Sequence, residues 1–86
     1  GLAEKMTYFV YLAECADKTF YCGYTVDLAK RIHAHNLGKT GAKYTRTRRP
    51  ITLKYFEKLS TLSSALKREH EIKQMTRSQK VLLTKK

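Results

Sequence analysis

Acidic side chains are what this 86-residue chain is short of: seven Asp and Glu stand against eighteen Lys and Arg, a net charge of +11. A surplus of that size is more than solubility asks of a small domain and calls for a polyanionic partner, nucleic acid first. An anionic membrane surface would answer the same charge. However, the chain lacks the run of about 18 apolar residues that a spanning helix needs, and its cations do not gather on one face of a long amphipathic helix. Cysteine is also scarce. Cys15 and Cys22 form neither a CxxC pair nor half of a four-ligand zinc site, and two cysteines are too few for a disulfide scaffold. They read as small buried apolar residues with free thiols. Internal repeats, interdomain linkers and low-complexity tracts are missing as well, so one domain is expected over residues 1–86. The N-terminal GLAEKMT has no apolar signal core; residues 1–5 are expected to be an appended or disordered extension, and the address cytoplasmic. A chain this short buries roughly 60 to 65% of the surface its unfolded form exposes, so every large apolar residue counts. A monomer is the expected state.

Against those shortages stand six tyrosines, four of them in YFVYLAECADKTFYCGY, residues 8–24. Tyr8 to Cys15 and Thr19 to Tyr24 are rich in Tyr, Phe and Val and are separated by Ala16, Asp17 and Lys18, the pattern of a β-hairpin with a three-residue loop. An odd loop puts residues of equal parity on one face. Tyr11 is therefore expected opposite Gly23 and diagonal to Tyr21, with both phenols lining one pocket. Thr25 is expected to cap a helix over VDLAKRIHAHN that stops near Asn36 and Gly38. Residues 39–50, KTGAKYTRTRRP, form the most basic segment and hold no acid. Ile51, Leu53 and Tyr55 then alternate as a third strand ending near Leu59. Ser63 is a candidate cap for a second helix, SALKREHEIKQM, and Thr76 to Gln79 match a capping box ahead of a short last helix over Val81, Leu82 and Leu83. The expected architecture is α+β, a small three-stranded antiparallel sheet flanked by helices in the order β-β-α-β-α-α.

Glu69 is the residue that fits its pattern worst. On the second helix Ala65, Leu66 and Ile72 define an apolar stripe, and Glu69 projects near its centre while Glu71 points away. A carboxylate there costs desolvation unless it is paired, hydrogen-bonded or bound to a cation. Pairing with a surface Lys or Arg and service in a site are both open to it. Arg31 and His35, four residues apart, flank the Leu28 to Ile32 stripe and can lean over the sheet. Arg31 has Asp27 at i−4 as an ordinary surface partner, His35 reads equally as a half-buried helix residue, and the tyrosines as strand packing.

Taken together these residues resemble the GIY-YIG nuclease family. The resemblance is carried by Phe9-Val10-Tyr11 and Tyr21-Cys22-Gly23, followed by DLAKR and ALKRE, and it runs from about Met6 to Leu83. Within the family the chain is similar to the small stand-alone bacterial branch, the YhbQ/YazA-like proteins. Phe9 replaces the first glycine of the name-giving motifs and Cys22 the second isoleucine; both tyrosines and Gly23 remain. The resemblance implies a catalytic set of Tyr11, Tyr21, Arg31, His35 and Glu69. It implies metal-dependent hydrolysis of phosphodiesters, with Glu69 holding one Mg²⁺ or Mn²⁺, Tyr11 as general base, and Arg31 stabilising phosphoryl charge. Tyr21 and His35 would position the nucleophile and phosphate. Nucleic acid is the implied partner, DNA favoured over RNA. Lys39, Lys43, Arg46, Arg48 and Arg49 would hold its backbone, and Tyr44 would stack on a base. The alternative is a non-catalytic nucleic-acid-binding module serving DNA repair or RNA and the ribosome.

Overall fold

The computed structural model describes residues 7–37 and 49–85, without the side chains of His35 and Leu37. Strands β1 (Tyr8–Glu14) and β2 (Phe20–Thr25) form the hairpin. The Cys15 N–H donates to the Thr19 carbonyl at 2.8 Å and the Lys18 N–H to the Cys15 carbonyl at 2.9 Å, which leaves Ala16, Asp17 and Lys18 as the loop. Lys18 is left-handed, with φ of 71°. That is the conformation which lets a three-residue loop follow the twist of its strands. The register pairs Tyr11 with Gly23 and Leu12 with Cys22, as the odd loop requires. Strand β3 (Thr52–Leu59) pairs antiparallel with the other side of β1, giving the order β2-β1-β3. Opposite Leu12 and Ala13 the partners jump from Tyr55 to Leu53, so Lys54 is the extra residue of a bulge.

β1 is the central strand, and Val10, Tyr11, Leu12 and Ala13 are fully buried because both faces of the sheet are covered. Helices α2 (Leu62–Lys73) and α3 (Arg77–Thr84) lie over Val10, Leu12 and Cys22 and add Ala65, Ile72 and Leu83 to that half of the core. Helix α1 (Leu28–Leu37) covers the opposite face, where Leu28 and Ile32 pack on Tyr11, Ala13, Cys15 and Ile51. The result is an α+β domain in the order β-β-α-β-α-α. Each large side chain buried here contributes about 1.5 to 3 kcal/mol, so the two thin cores depend on few residues. Cys15 and Cys22 fall on opposite faces as free thiols.

Helix starts depart from expectation twice. Asp27, rather than Thr25, caps α1: its Oδ1 accepts from the Lys30 N–H at 3.1 Å, and Thr25 Oγ1 accepts from the Asp27 N–H at 3.1 Å one step earlier. A carboxylate is the better acceptor at the positive end of the helix dipole. Thr61, rather than Ser63, caps α2, accepting from the Ser64 N–H at 3.1 Å. It leaves β3 in the extended conformation that an N-cap needs, so the helix begins sooner. Leu66, expected in the apolar stripe, is 42% exposed, the stripe being centred on Ala65 and Ile72. The Thr76–Gln79 capping box is present as read.

Two polar struts hold the helices to the sheet. Asn36 grips the Ile51 backbone at both ends, Oδ1 accepting from its N–H at 2.6 Å and Nδ2 donating to its carbonyl at 3.0 Å, and so ties the end of α1 to the start of β3. Arg68 of α2 clasps Glu57 of β3 through Nε at 3.0 Å and Nη2 at 2.8 Å, while the Tyr55 hydroxyl donates to the same carboxylate. This forked pairing raises the Arg68 pKa and fixes the rotation of α2 one residue before Glu69.

Candidate active site

On the α1 face the Tyr11 ring lies across the backbone of Gly23. A Cβ on Gly23 would stand 2.6 Å from the Tyr11 hydroxyl and 2.8 Å from Cζ, so no other residue fits opposite the phenol without displacing it. Tyr21, diagonal to Tyr11, has its ring centroid 6.3 Å away at 39°. From α1, half-buried Arg31 points Nε at the Tyr11 hydroxyl at 3.4 Å, and this bond, ahead of the charge effects of both phenols, raises the arginine pKa. The guanidinium is thus directed to the sheet. Burial pushes the Tyr11 pKa up to about 12, against the smaller downward pull of the Arg31 hydrogen bond. A cleft of about 380 Å³, lined by Thr25, Val26, Asp27, Lys30, Arg31 and Ala34, opens beside Arg31.

The structure brings Tyr11, Tyr21 and Arg31 together. His35 lies one turn beyond Arg31 on α1, with its side chain outside the described residues. Glu69 belongs to α2, on the other face of the sheet, where the helix crosses β2: Cys22 Sγ lies 3.8 Å from the Glu69 carbonyl oxygen, and the Glu69 charge adds to the burial that pushes the Cys22 thiol up to about 11. Its carboxylate, 16% exposed, sits 3.7 Å from Lys73 Nζ. Glu71 points outward, as the helical period requires, and meets Arg68 at 3.4 Å. Glu69 and the phenols thus approach the sheet from opposite faces. A cleft of about 260 Å³ at the outer edge of β2 joins Tyr21 to Lys73, with Phe20, Cys22 and Lys80 completing the wall.

Lys73 and Lys80 escaped the sequence reading because their period places them on an ordinary solvated helix face; only the packing of α2 and α3 against the same edge strand brings them beside Tyr21. Arg77, over the Phe20 ring at 5.3 Å, is gathered there in the same way. Of the basic segment, Lys39, Lys43, Tyr44, Arg46 and Arg48 lie outside the described residues, and Arg49 enters β3 through Pro50. No group of three or more His, Cys, Asp and Glu that could hold a metal ion occurs among the described residues. Among the described residues expected in the site, the carboxylate is that of half-buried Glu69. That suits a hard cation which keeps most of its waters and takes further oxygen from a phosphate, and it does not suit zinc or a calcium cage.

The family whose pattern matches residues 7–81 is the GIY-YIG catalytic domain. The chain belongs to the GIY-YIG family. Among its relatives are the UPF0213 protein of Syntrophus aciditrophicus, 52% identical over 90% of this chain and 88% of that one, and that of Staphylococcus aureus, 49% identical over 92% and 95%. A UPF0213 protein of the archaeon Haloquadratum walsbyi is 52% identical over 85% and 81%, so the branch is not confined to bacteria. The solution NMR structure of a UPF0213 protein from Bacillus halodurans superposes with a TM-score of 0.59 at 38% identity, covering 93% of this chain and 84% of that one. That of an Enterococcus faecalis protein gives 0.61 at 42%, covering 90% and 81%. The domain is nuclease-like, and the family implies interaction with nucleic acid and general use of divalent metals. No described helix is long and apolar enough to cross a membrane.

Proposed function

We propose that this protein is a cytoplasmic, metal-dependent endonuclease that hydrolyses phosphodiester bonds in nucleic acid, DNA ahead of RNA, acting as a monomer. The observation that carries the reading is the Arg31–Tyr11 hydrogen bond over Gly23, which brings a cation and a phenol together where α1 packs on the sheet, beside the cleft that opens at Arg31. Arg31 would neutralise charge growing on the phosphoryl oxygens. Tyr11 would orient the attacking water and accept its proton; burial opposes its ionisation and Arg31 favours it, so the reaction is expected to quicken with pH. Tyr21 and His35 would position the phosphate. Glu69 would hold one Mg²⁺ or Mn²⁺, releasing exposed Lys73 toward the backbone of the substrate. The bound cation would supply Lewis-acid stabilisation of the phosphate and leaving oxygen. Lys39, Lys43, Arg46, Arg48 and Arg49 would grip flanking phosphates, with Tyr44 stacking on a base.

A binding-only module would keep every basic surface and leave Glu69 in its pair with Lys73. Labelled single-stranded, duplex and branched DNA and RNA, incubated with Mg²⁺ or Mn²⁺ and with EDTA, separate the two. Metal-dependent cuts within a strand support the enzyme. Retention of intact strands by tightly bound protein in every metal would establish the binding module instead.

A further inference from the structure

The phenylalanine that stands where the resemblance places a glycine is built into an aromatic surface beside the catalytic cluster. Antiparallel pairing sets Phe56 of β3 directly opposite Tyr11, and sets Phe9 opposite Lys58 on one side and Thr25 on the other. Side chains of one parity share a face, so Phe9, Tyr11, Phe56 and Lys58 line the same side of the sheet. The Phe9 and Phe56 rings meet edge to face, with centroids 5.9 Å apart at 65°. Phe56 remains 44% exposed, and neither ring is among the side chains of the two core clusters. A cross-strand aromatic pair stabilises a sheet, yet it does so without needing an open ring face. Next to it the bulge at Lys54 opens a depression of about 300 Å³ lined by Leu53, Lys54, Tyr55 and Phe56.

We propose that Phe56, braced by Phe9 and flanked by Lys58, is a stacking site for one unpaired base of the substrate, with Lys58 on the neighbouring phosphate. Adjacent strands lie about 5 Å apart, so a base on Phe56 falls within one nucleotide of a phosphate held at Tyr11. Bases inside a duplex are stacked on both sides and cannot offer a face to the ring, whereas single strands, loops and frayed ends can. The favoured substrate therefore carries an unpaired nucleotide next to the bond that is cut. The charge of the partner matches: Lys54 and Lys58 are exposed on the same strand as Phe56. This inference rests on the proposed function only in that nucleic acid crosses this face.

Fluorescence anisotropy with a labelled oligothymidylate and a hairpin duplex, both in EDTA, tests the site without requiring catalysis. Phe56→Leu keeps an apolar branched residue against Phe9 and should weaken single-strand binding about tenfold while leaving its salt dependence and duplex binding unchanged. Lys58→Gln should instead lower the salt slope by about one. Should Phe56→Leu melt as wild type and bind the single strand within about twofold, or lose duplex binding equally, the stacking site is refuted. NMR of the wild-type chain with oligothymidylate gives a check that needs no variant: the Phe9 and Phe56 ring signals should shift together, and unmoved rings would overturn the site. Stacking without any metal-dependent cut would sink the nuclease reading alone.

Discussion

The Tyr11 hydroxyl occupies the space in which a Gly23 side chain would stand: a Cβ there would come within 2.6 Å of it. The second glycine of the motif is thus a consequence of the first tyrosine, because a phenol can lie flat across the neighbouring strand only where that strand carries no side chain. Gly23→Ala should destabilise the protein by about 1 to 3 kcal/mol through overpacking. In a Tyr11→Leu background, whose side chain stops short of the clash, the same change should cost far less. Denaturant melts of the four proteins in this cycle give the coupling, and additive effects would contradict the contact.

Alkali should act on the same residues. Burial raises the Tyr11 phenol from an ordinary value near 10 to about 12, and the Cys22 thiol from near 9 to about 11. A raised folded-state pKa means that the folded chain holds its proton longer than the unfolded one. The associated stability is therefore complete below the unfolded value and is lost as pH climbs toward the folded one. Stability should hold to about pH 9 and then fall steeply through about pH 12. At about 1.4 kcal/mol per pKa unit, full displacement withdraws roughly 3 kcal/mol per group. Tyr11→Phe, which keeps the ring, should remove about half of the decline in a series of melts across that range. A decline of unchanged size would show that the phenol is not held protonated by the fold.

Binding should depend on the segment 39–50. With four of its cations on phosphates, log affinity should fall against log salt with a slope of about −3 to −4. Replacing Arg46, Arg48 and Arg49 together with Gln should flatten it by about two to three units. An unaltered slope would move the binding surface to the β2 edge, where Lys73 and Lys80 wall the cleft.

Local chemistry carried much of this into the sequence. The hairpin was legible because loop length and strand period fix register together, and so Tyr11 opposite Gly23 followed from counting. Glu69 could be told from Glu71 because the helical period places one inward and the other out, and their exposures of 16% and 51% bear this out. What did not show was anything set by two elements meeting. Thr61 and Asp27 took the caps from neighbours of similar chemistry because the backbone leaving β3 and β2 decides which residue is extended. The Arg68–Glu57 clasp, the Asn36 grip on Ile51 and the lysines beside Tyr21 pair residues 11 or more positions apart, across strands and helices whose angles no period encodes. Phe9 reads as a lapse from a motif until Phe56 is seen beside it.

Glu69→Gln is the most direct test of the account. Its Lys73 partner is 54% exposed, so the substitution strands no buried charge, and an exposed helical pair of this spacing is worth only about 0.3 to 0.5 kcal/mol. The measurement is the rate of metal-dependent strand cleavage by Glu69→Gln beside wild type, with nucleic-acid affinity and a denaturant melt in EDTA taken on the same preparations. Cleavage should be abolished, affinity kept, and stability within about 0.5 kcal/mol of wild type or above it. A variant that is clearly destabilised yet still cuts would contradict the role of Glu69 and, with it, the nuclease reading of this site.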